Sequence, residues 1–300
     1  MMRTAGFARI PVLRKLSVRS TERAYKKSLG SLATQPEPRH TDLAVVIHLY
    51  YTDNWDYFRQ KLAVLANTPF DLYLTLPAQN AGFVDTVRRT HPEVRYVVAP
   101  NRGRDVLPFI MVAKQLRATG YKAVLKFHSK KSLHWDGGDD WLHETMAALL
   151  PDKKQSIHAI IEKLNQPETA VLGTAQFYYP LTINFPANGP HLTKILTRIY
   201  GSEVAQSALQ ADRRKYGFFA GTMFWCRLDA IEKILDVATI RDFEAEAGQI
   251  DGTFAHALER LFCVVPEIEG RSLYELDGYS VKKRVYASAN IPEWSEDHDK

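Results

Sequence analysis

"LAVVIHLYYTDNWDYFRQKLAVLANTPFDLYLTLP", residues 43–77, decides the fold class. Residues 43–51 are an almost unbroken apolar run, the pattern of a strand buried on both faces. Residues 53–67 space their apolar side chains as a helix does, with Asp53 or Asn54 at a capping position. Residues 70–77 are a second apolar strand, closed by Pro77. The alternation continues: helix over 81–92, strand over 94–100, turn "NRGRD" at 101–105, helix over 106–120, strand "YKAVLKFHS" over 121–129. Strands alternating with helices through short connections predict an α/β domain, a mostly parallel central sheet with helices on both faces. Ligands of such sheets sit beyond the carboxyl ends of the strands. The turns "NRGRD" and "HSKKS" lie at two such ends, in consecutive units.

The second half is less regular. Residues 141–150, 156–166, 192–201, 229–238 and 251–262 read as helices, 169–179 as a strand, and 180–190 as a loop rich in Pro, Asn and Gly. Residues 216–227 read as one glycine-broken strand, and 263–268 as strand-like.

The chain has 300 residues, 45% hydrophobic and 24% charged, as an ordinary globular protein does. No run approaches the roughly 18 apolar residues that a membrane helix needs. Cys226 and Cys263 lie in apolar segments with no zinc or disulfide spacing. The net charge is +5, but residues 1–40 hold nine Lys or Arg against two acids. The remaining body is slightly acidic, which argues against a nucleic-acid partner. The leader reads either as a basic segment lying on anionic lipid through residues 1–30, as an Arg/Ser-rich organelle presequence, or as a surface helix with solvated charges. A linker over 33–40 and the fold over 41–270 follow, with 271–300 as a tail.

In "NRGRD", Gly103 permits positive φ, and Arg102 and Arg104 offer forked donors to a phosphate, with Asn101 beside them. Asp105 is placed to cap the next helix. In "KFHSKKS", strand alternation sends Lys126, His128 and Lys130 to one face and Ser129 to the other, with Lys131 following. A lysine in a central strand is costly unless it meets an anion. His256, Glu259 and Arg260 share one helix face, and Asp251 stands at the mouth of that helix, where it either caps or takes a proton from a hydroxyl. The cluster "DGGDDW" offers Asp136, Asp139 and Asp140 as an alternative site for Mg2+ or Mn2+. Phe219, Gly221 and Trp225 either line a ligand or pack a bent core strand.

The blocks "NRGRDVLPF", "KFHSKKS", Gly138 with Trp141, "FFAGTMFWCR" and "GQIDGTFAHALERLF", with the opening strand "VVIHLYYTDNW", resemble the signature blocks of the rhamnan synthesis protein F family. The resemblance spans about residues 43–265. It implies a GT-A-like, Rossmann-type glycosyltransferase, specifically a rhamnosyltransferase of polysaccharide or O-antigen synthesis. It also implies a nucleotide-diphosphate donor such as dTDP-L-rhamnose and a lipid-linked glycan acceptor at the cytoplasmic face of the plasma membrane. GT-A enzymes commonly place an Asp-x-Asp metal motif where this chain has "HSKKS". The resemblance therefore implies no metal cofactor, with Lys126, His128, Lys130 and Lys131, assisted by Arg102 and Arg104, neutralising the departing diphosphate. Asp251 aligns with the late carboxylate that GT-A enzymes use as base and is the expected base, with Glu259 second. Phe219, Gly221, Trp225 and His256 are then expected on the acceptor side. A non-catalytic module binding nucleotide sugar or anionic glycan is the competing expectation.

Overall fold

The computed structural model describes residues 9–38, 41–129, 138–211 and 213–285. Among the described residues ten strands form: β1 (Leu43–His48), β2 (Asp71–Leu76), β3 (Arg95–Val98), β4 (Ala123–His128), β5 (Thr169–Thr174), β6 (Tyr178–Pro180), β7 (Gly217–Phe219), β8 (Phe224–Arg227), β9 (Ser272–Leu276) and β10 (Val281–Lys283). The α-helices of the described residues are α1 (Arg9–Gly30), α2 (Trp55–Leu62), α3 (Val84–Arg88), α4 (Val106–Ala118), α5 (Gly138–Leu149), α6 (Lys154–Leu164), α7 (Phe185–Tyr200), α8 (Ser202–Gln206), α9 (Glu232–Val237) and α10 (Phe254–Ile268).

Eight strands make one sheet in the order β10-β9-β5-β8-β4-β1-β2-β3. β1 pairs in parallel with β2 and β4, β2 with β3, and β5 with β9. β8 runs antiparallel between β4 and β5, and β10 is an antiparallel edge. The expected α/β architecture is present.

The period of two along each strand divides the apolar residues between two cores. On β1, Ala44 and Val46 face one core with α1, α4, α7, α9 and α10. Leu43, Val45 and Ile47 face the other with α2, α3, α5 and α6. On β4, Val124 belongs to the first set and Leu125 and Phe127 to the second. Lys126 therefore enters the first core, between Phe109 and Phe224 at 5.5 and 5.8 Å from their ring centres.

Several expectations are corrected by long-range packing. Residues 216–227 form two strands in different sheets, since Ala220–Met223 turn between β7, paired with β6, and β8. Residues 263–268 continue α10 through Pro266, because Cys263, Val264 and Val265 are buried on the helix. The loop ends early: α7 starts at Phe185, with Pro186 in its first turn, where a missing N–H costs nothing. Of the expected tail over 271–300, the described residues 271–285 belong to the fold, since β9 and β10 extend the sheet. Likewise the linker and the end of the leader are built into the body. Val18, Tyr25 and Leu32 are buried in the first core, Gln35 Oε1 accepts from Tyr96 N at 2.7 Å, and its Nε2 donates to Tyr96 O at 2.9 Å.

Tyr25 measures this attachment. Its ring is fully buried while its hydroxyl has no hydrogen-bond partner. Tyr25→Ala is expected to lower the unfolding free energy by roughly 3–5 kcal/mol, as large-to-small core changes do. Tyr25→Phe should leave it unchanged or raise it, since the orphaned hydroxyl is removed. Urea unfolding of the three proteins checks both. A leader detached from the fold would make all three equal.

Candidate functional site

A cleft of about 330 Å3 opens at the carboxyl end of β4. The turn before α4 supplies Arg104 and Asp105, the end of β4 supplies His128, and α5 supplies Trp141. The β7–β8 turn supplies Gly221 and Thr222, the start of α7 Asn184, and the mouth of α10 Asp251, His256, Glu259 and Arg260. The parallel sheet thus puts its cleft where such sheets bind ligands.

Beneath the cleft lies a closed polar knot. Lys126 Nζ donates to Asp105 Oδ2 at 2.6 Å, to Thr222 O at 2.6 Å and to Thr222 Oγ1 at 3.0 Å. Thr222 Oγ1 donates to Asp105 Oδ2 at 2.5 Å. The lysine is 1% exposed, and its three protons match three acceptors. Burial pushes the Asp105 carboxyl up, but the Lys126 ammonium, His128 and the two hydrogen bonds outweigh it, so Asp105 stays ionised far below the usual range. The anion that a central-strand lysine requires is therefore Asp105. Asp105 occupies the N-cap position of α4, yet its side chain makes no capping bond.

Above the knot the turn is strained. Thr222 has φ +52° and Gly221 φ +86°. A Cβ on Gly221 would stand 2.3 Å from the Trp141 ring, so only glycine lets the ring close over the turn. His128 Nε2 hydrogen-bonds Gly221 O at 2.7 Å, and its ring stacks on Trp141. Among the described residues, the non-glycine positions with positive φ are Arg104, Asn184 and Thr222, and all three line this cleft. Each costs of order 1–3 kcal/mol and persists only where the surroundings over-determine it, which marks functional sites.

The two carboxylates on the α10 side differ in kind. Asp251 Oδ1 accepts from Gly252 N at 2.7 Å and Asn188 Nδ2 at 3.0 Å; Oδ2 accepts from Asn184 Nδ2 at 2.8 Å and Arg260 Nη2 at 3.2 Å. Four donors fill its lone pairs. Burial acts upward on Asp251, but Arg260, His256 and the hydrogen bonds from Gly252 N and Asn188 Nδ2 hold it below the ordinary range. Glu259 Oε1 accepts from Gly221 N at 2.5 Å, while Oε2 has Arg260 Nη1 at 3.6 Å, beyond hydrogen-bond distance. Burial raises Glu259, and the pull of Arg260 and Gly221 N does not restore it. His256 Nδ1 accepts from Thr253 N at 3.3 Å as part of a capping box, which places the ring proton of a neutral imidazole on Nε2.

Of the expected donor-side residues, Gly103, Arg104, Asp105 and His128 stand at or beside the cleft. Gly103 brings the backbone close to Phe243, where a Cβ would meet the ring at 2.4 Å. Arg104 donates to Gln249 O and lies 3.8 Å from Glu246 Oε2. Arg102 does not line the cleft; it donates to Phe243 O at 2.6 Å and Ser17 Oγ at 2.7 Å, tying α1 to the segment after α9. Ser129 Oγ accepts from Tyr51 N at 2.8 Å on the other side, and Asn101 is exposed elsewhere. On the acceptor side, Gly221 and His256 line the cleft, but Phe219 and Trp225 are core. Phe219 covers Gly173, and Trp225 Nε1 donates to Leu149 O at 2.9 Å. Lys130, Lys131 and Asp136 lie outside the described residues, as does the Asp139 side chain; Asp140 is exposed. Among the described residues no group of three His, Cys, Asp or Glu is placed to hold a metal ion. Asn184, Asn188 and Thr222 went unread in the sequence. The signal for the first two was the Asn-rich stretch at 180–190, since asparagine tolerates the left-handed region that residue 184 occupies.

The sequence blocks that build this cleft fall within one family match, to the rhamnan synthesis protein F model over residues 18–270. The chain belongs to the rhamnan synthesis protein F family. The family match begins inside α1 and ends before β9, so it covers the whole cleft. The uncharacterized protein WxcX, from two strains of Xanthomonas campestris pv. campestris, is 33% identical over 219 residues. That alignment covers 72% of this chain and 30% of WxcX, so the chain spans less than a third of these curated relatives. Membership in the family implies a part in rhamnan synthesis. No described helix is long and apolar enough to cross a membrane.

The knot gives a stability prediction. Lys126→Met leaves the Asp105 charge buried and unpaired and should cost roughly 3–5 kcal/mol, whereas Lys126→Met with Asp105→Leu should recover much of it. A depressed carboxyl contributes its full stability above its unfolded value, here 3.8, and that contribution is lost progressively as pH falls below it toward the depressed folded value. The double variant should therefore unfold less steeply below about pH 4 than the parent. Denaturant melts at several pH values measure both effects, and equal slopes would contradict the assignment.

Proposed function

We propose that this chain is a glycosyltransferase domain that moves a rhamnosyl group from a nucleotide-diphosphate donor, dTDP-L-rhamnose, onto a growing cell-surface polysaccharide. The observation that carries this reading is the pair of unlike carboxylates facing one cleft: Asp251 saturated with donors and held ionised, Glu259 partly desolvated with one oxygen open. The family's place in rhamnan synthesis supplies the substrate class.

In this reading the acceptor hydroxyl oxygen forms the new bond to the anomeric carbon as the bond to the diphosphate oxygen breaks. The hydroxyl proton passes to Glu259, and the electron pair leaves with the diphosphate. The transition state resembles an oxocarbenium ion. A fixed anion beside it lowers its energy without reorganising, which suits Asp251. A base needs an available lone pair and a pKa nearer the working pH, which suits Glu259. This reading takes as base the residue placed second from the sequence, Glu259, and gives Asp251 the part of a fixed anion. The leaving diphosphate meets Arg104 at the cleft, with Lys130 and Lys131 following β4 in the chain; Lys126 acts only by holding the turn, since Asp105 already neutralises it. One polar atom of the cleft wall, Arg260 Nε, has no partner in the protein and suits a sugar hydroxyl. We propose a station on the anionic inner face of the plasma membrane, contacted through the exposed Arg19, Arg23, Lys26 and Lys27 of α1. Val18 and Tyr25 on the other side of this stretch are committed to the core, so the contact made by these four residues is electrostatic.

Release of nucleotide diphosphate from a panel of nucleotide sugars tests the reading. Glu259→Gln is expected to lower kcat by about 10²–10⁴-fold while donor binding is retained. Asp251→Asn should also slow turnover, and should lower thermal stability as well, because Arg260 loses its counter-ion; Glu259→Gln should not. Activity should fall as pH drops through a value above the 4.5 of an ordinary glutamate, since the base must be ionised to accept a proton. Full turnover by Glu259→Gln, with loss confined to Asp251→Asn, would return the base to Asp251. Activity abolished by a chelator and restored by Mg2+ would overturn the metal-free account.

A further inference from the structure

A second cleft, of about 540 Å3, lies on the far side of α5. It opens at the carboxyl ends of β5 and β9, a parallel pair, and so at the same edge of the sheet as the first. The two clefts share walls. Trp141 of α5 lines the first, and Glu144, Ala147 and Ala148 on the next turns of α5 line the second. Tyr179 lines the first, and Thr174, Ala175 and Gln176 just before it line the second.

The chemistry of this cleft is not that of the first. Its ionisable lining is Lys61 and Lys153 against Glu144, Asp152 and Asp277, so it offers no surplus of positive charge to a phosphate. Lys61 is paired with Asp152 at 2.9 Å. Asp277 is consumed by its own turn, accepting from Tyr279 N at 2.9 Å, Ser280 N at 2.7 Å and Ser280 Oγ at 2.8 Å. Two features point to a ligand. Tyr279 is 76% exposed, with Lys153 held 5.0 Å over one face of its ring, so the other face is offered to solvent. Thr174 is 5% exposed, lines the cleft, and its hydroxyl has no partner in the protein. An open aromatic face, an unsatisfied buried hydroxyl, and a polar lining with no surplus of positive charge around an alanine floor match an uncharged polyhydroxylated ligand: a sugar face against the ring, its hydroxyls against Thr174 and Gln176.

We infer that this second cleft binds a saccharide unit of the acceptor polysaccharide some residues back from its growing end, so that the chain runs along α5 from one cleft to the other. The inference rests on the proposed transferase reading for the word acceptor, but the binding itself does not. The test is therefore binding without nucleotide: calorimetric titration of a rhamnan-derived hexasaccharide and of a rhamnose disaccharide. The hexasaccharide is expected to bind more tightly than the disaccharide. Tyr279→Ala should weaken it roughly fivefold to tenfold, the loss of one stacked ring. Thr174→Val, which keeps shape and removes a hydroxyl that does nothing for the fold, should weaken it about threefold or more. Both variants should melt like the parent. Hexasaccharide binding that neither variant alters, or no hexasaccharide binding at all, overturns the inference even if the chain transfers sugar. Binding weakened by both variants, in a chain that turns over no nucleotide sugar, upholds the second cleft and sinks the transferase reading alone.

Discussion

The structure around the cleft depends on one buried ion pair. Lys126 stands in the middle of a central strand, in a core of aromatic rings, where an uncompensated ammonium could not stay. Asp105 meets it from the turn before α4, and Thr222 meets both from the β7–β8 turn. Three segments far apart in sequence are thus fixed to one point. A buried pair of this kind is weak evidence for added stability, because desolvation offsets much of the attraction. Its use here is positional: it holds Thr222 at positive φ, and Thr222 presents Gly221 to Trp141, His128 and Glu259.

From that turn the electrostatics of the cleft follow. Gly221 N and Arg260 both touch Glu259, and Arg260 also touches Asp251. One guanidinium shared between two carboxylates cannot saturate both. It lies within hydrogen-bond distance of Asp251, which gathers two asparagine amides and a backbone N–H besides; Glu259 is left half-buried, its Oε2 3.6 Å from Arg260. Two carboxyls in one cleft are driven apart in proton affinity by their surroundings, the arrangement that distinguishes a fixed charge from a base. A strand that paired its lysine with a ligand phosphate instead would leave the turn unsupported whenever the site emptied.

Much of this was legible in the sequence, and the reasons for the rest are physical. Residues 43–129 announce their strands and helices because each is long enough to show its period and is punctuated by Pro or Gly. The side of the sheet taken by Lys126 and His128 follows from alternation alone. What alternation cannot give is the partner: Asp105 and Thr222 are 21 and 96 residues away. The same holds for Arg102, whose two contacts, Ser17 and Phe243, come from distant segments and turn an apparent phosphate ligand into a brace. Phe219 and Trp225 read equally well as ligand-lining or core, and only the burial decides. The break at Ala220–Met223 was marked by Gly221, but not the fact that the chain changes sheets there. The helix through Pro266 and the strands after 270 were hidden because tertiary burial overrides local preference.

The account turns on which carboxyl in the cleft gives up its proton first. Titration of the side-chain carboxyl carbons of 13C-labelled protein, with Asp251→Asn and Glu259→Gln used for assignment, measures this directly. The account predicts that Asp251 remains ionised below 3.8 and that Glu259 still holds its proton above 4.5. The opposite order, with Glu259 ionising normally and Asp251 raised, would contradict it.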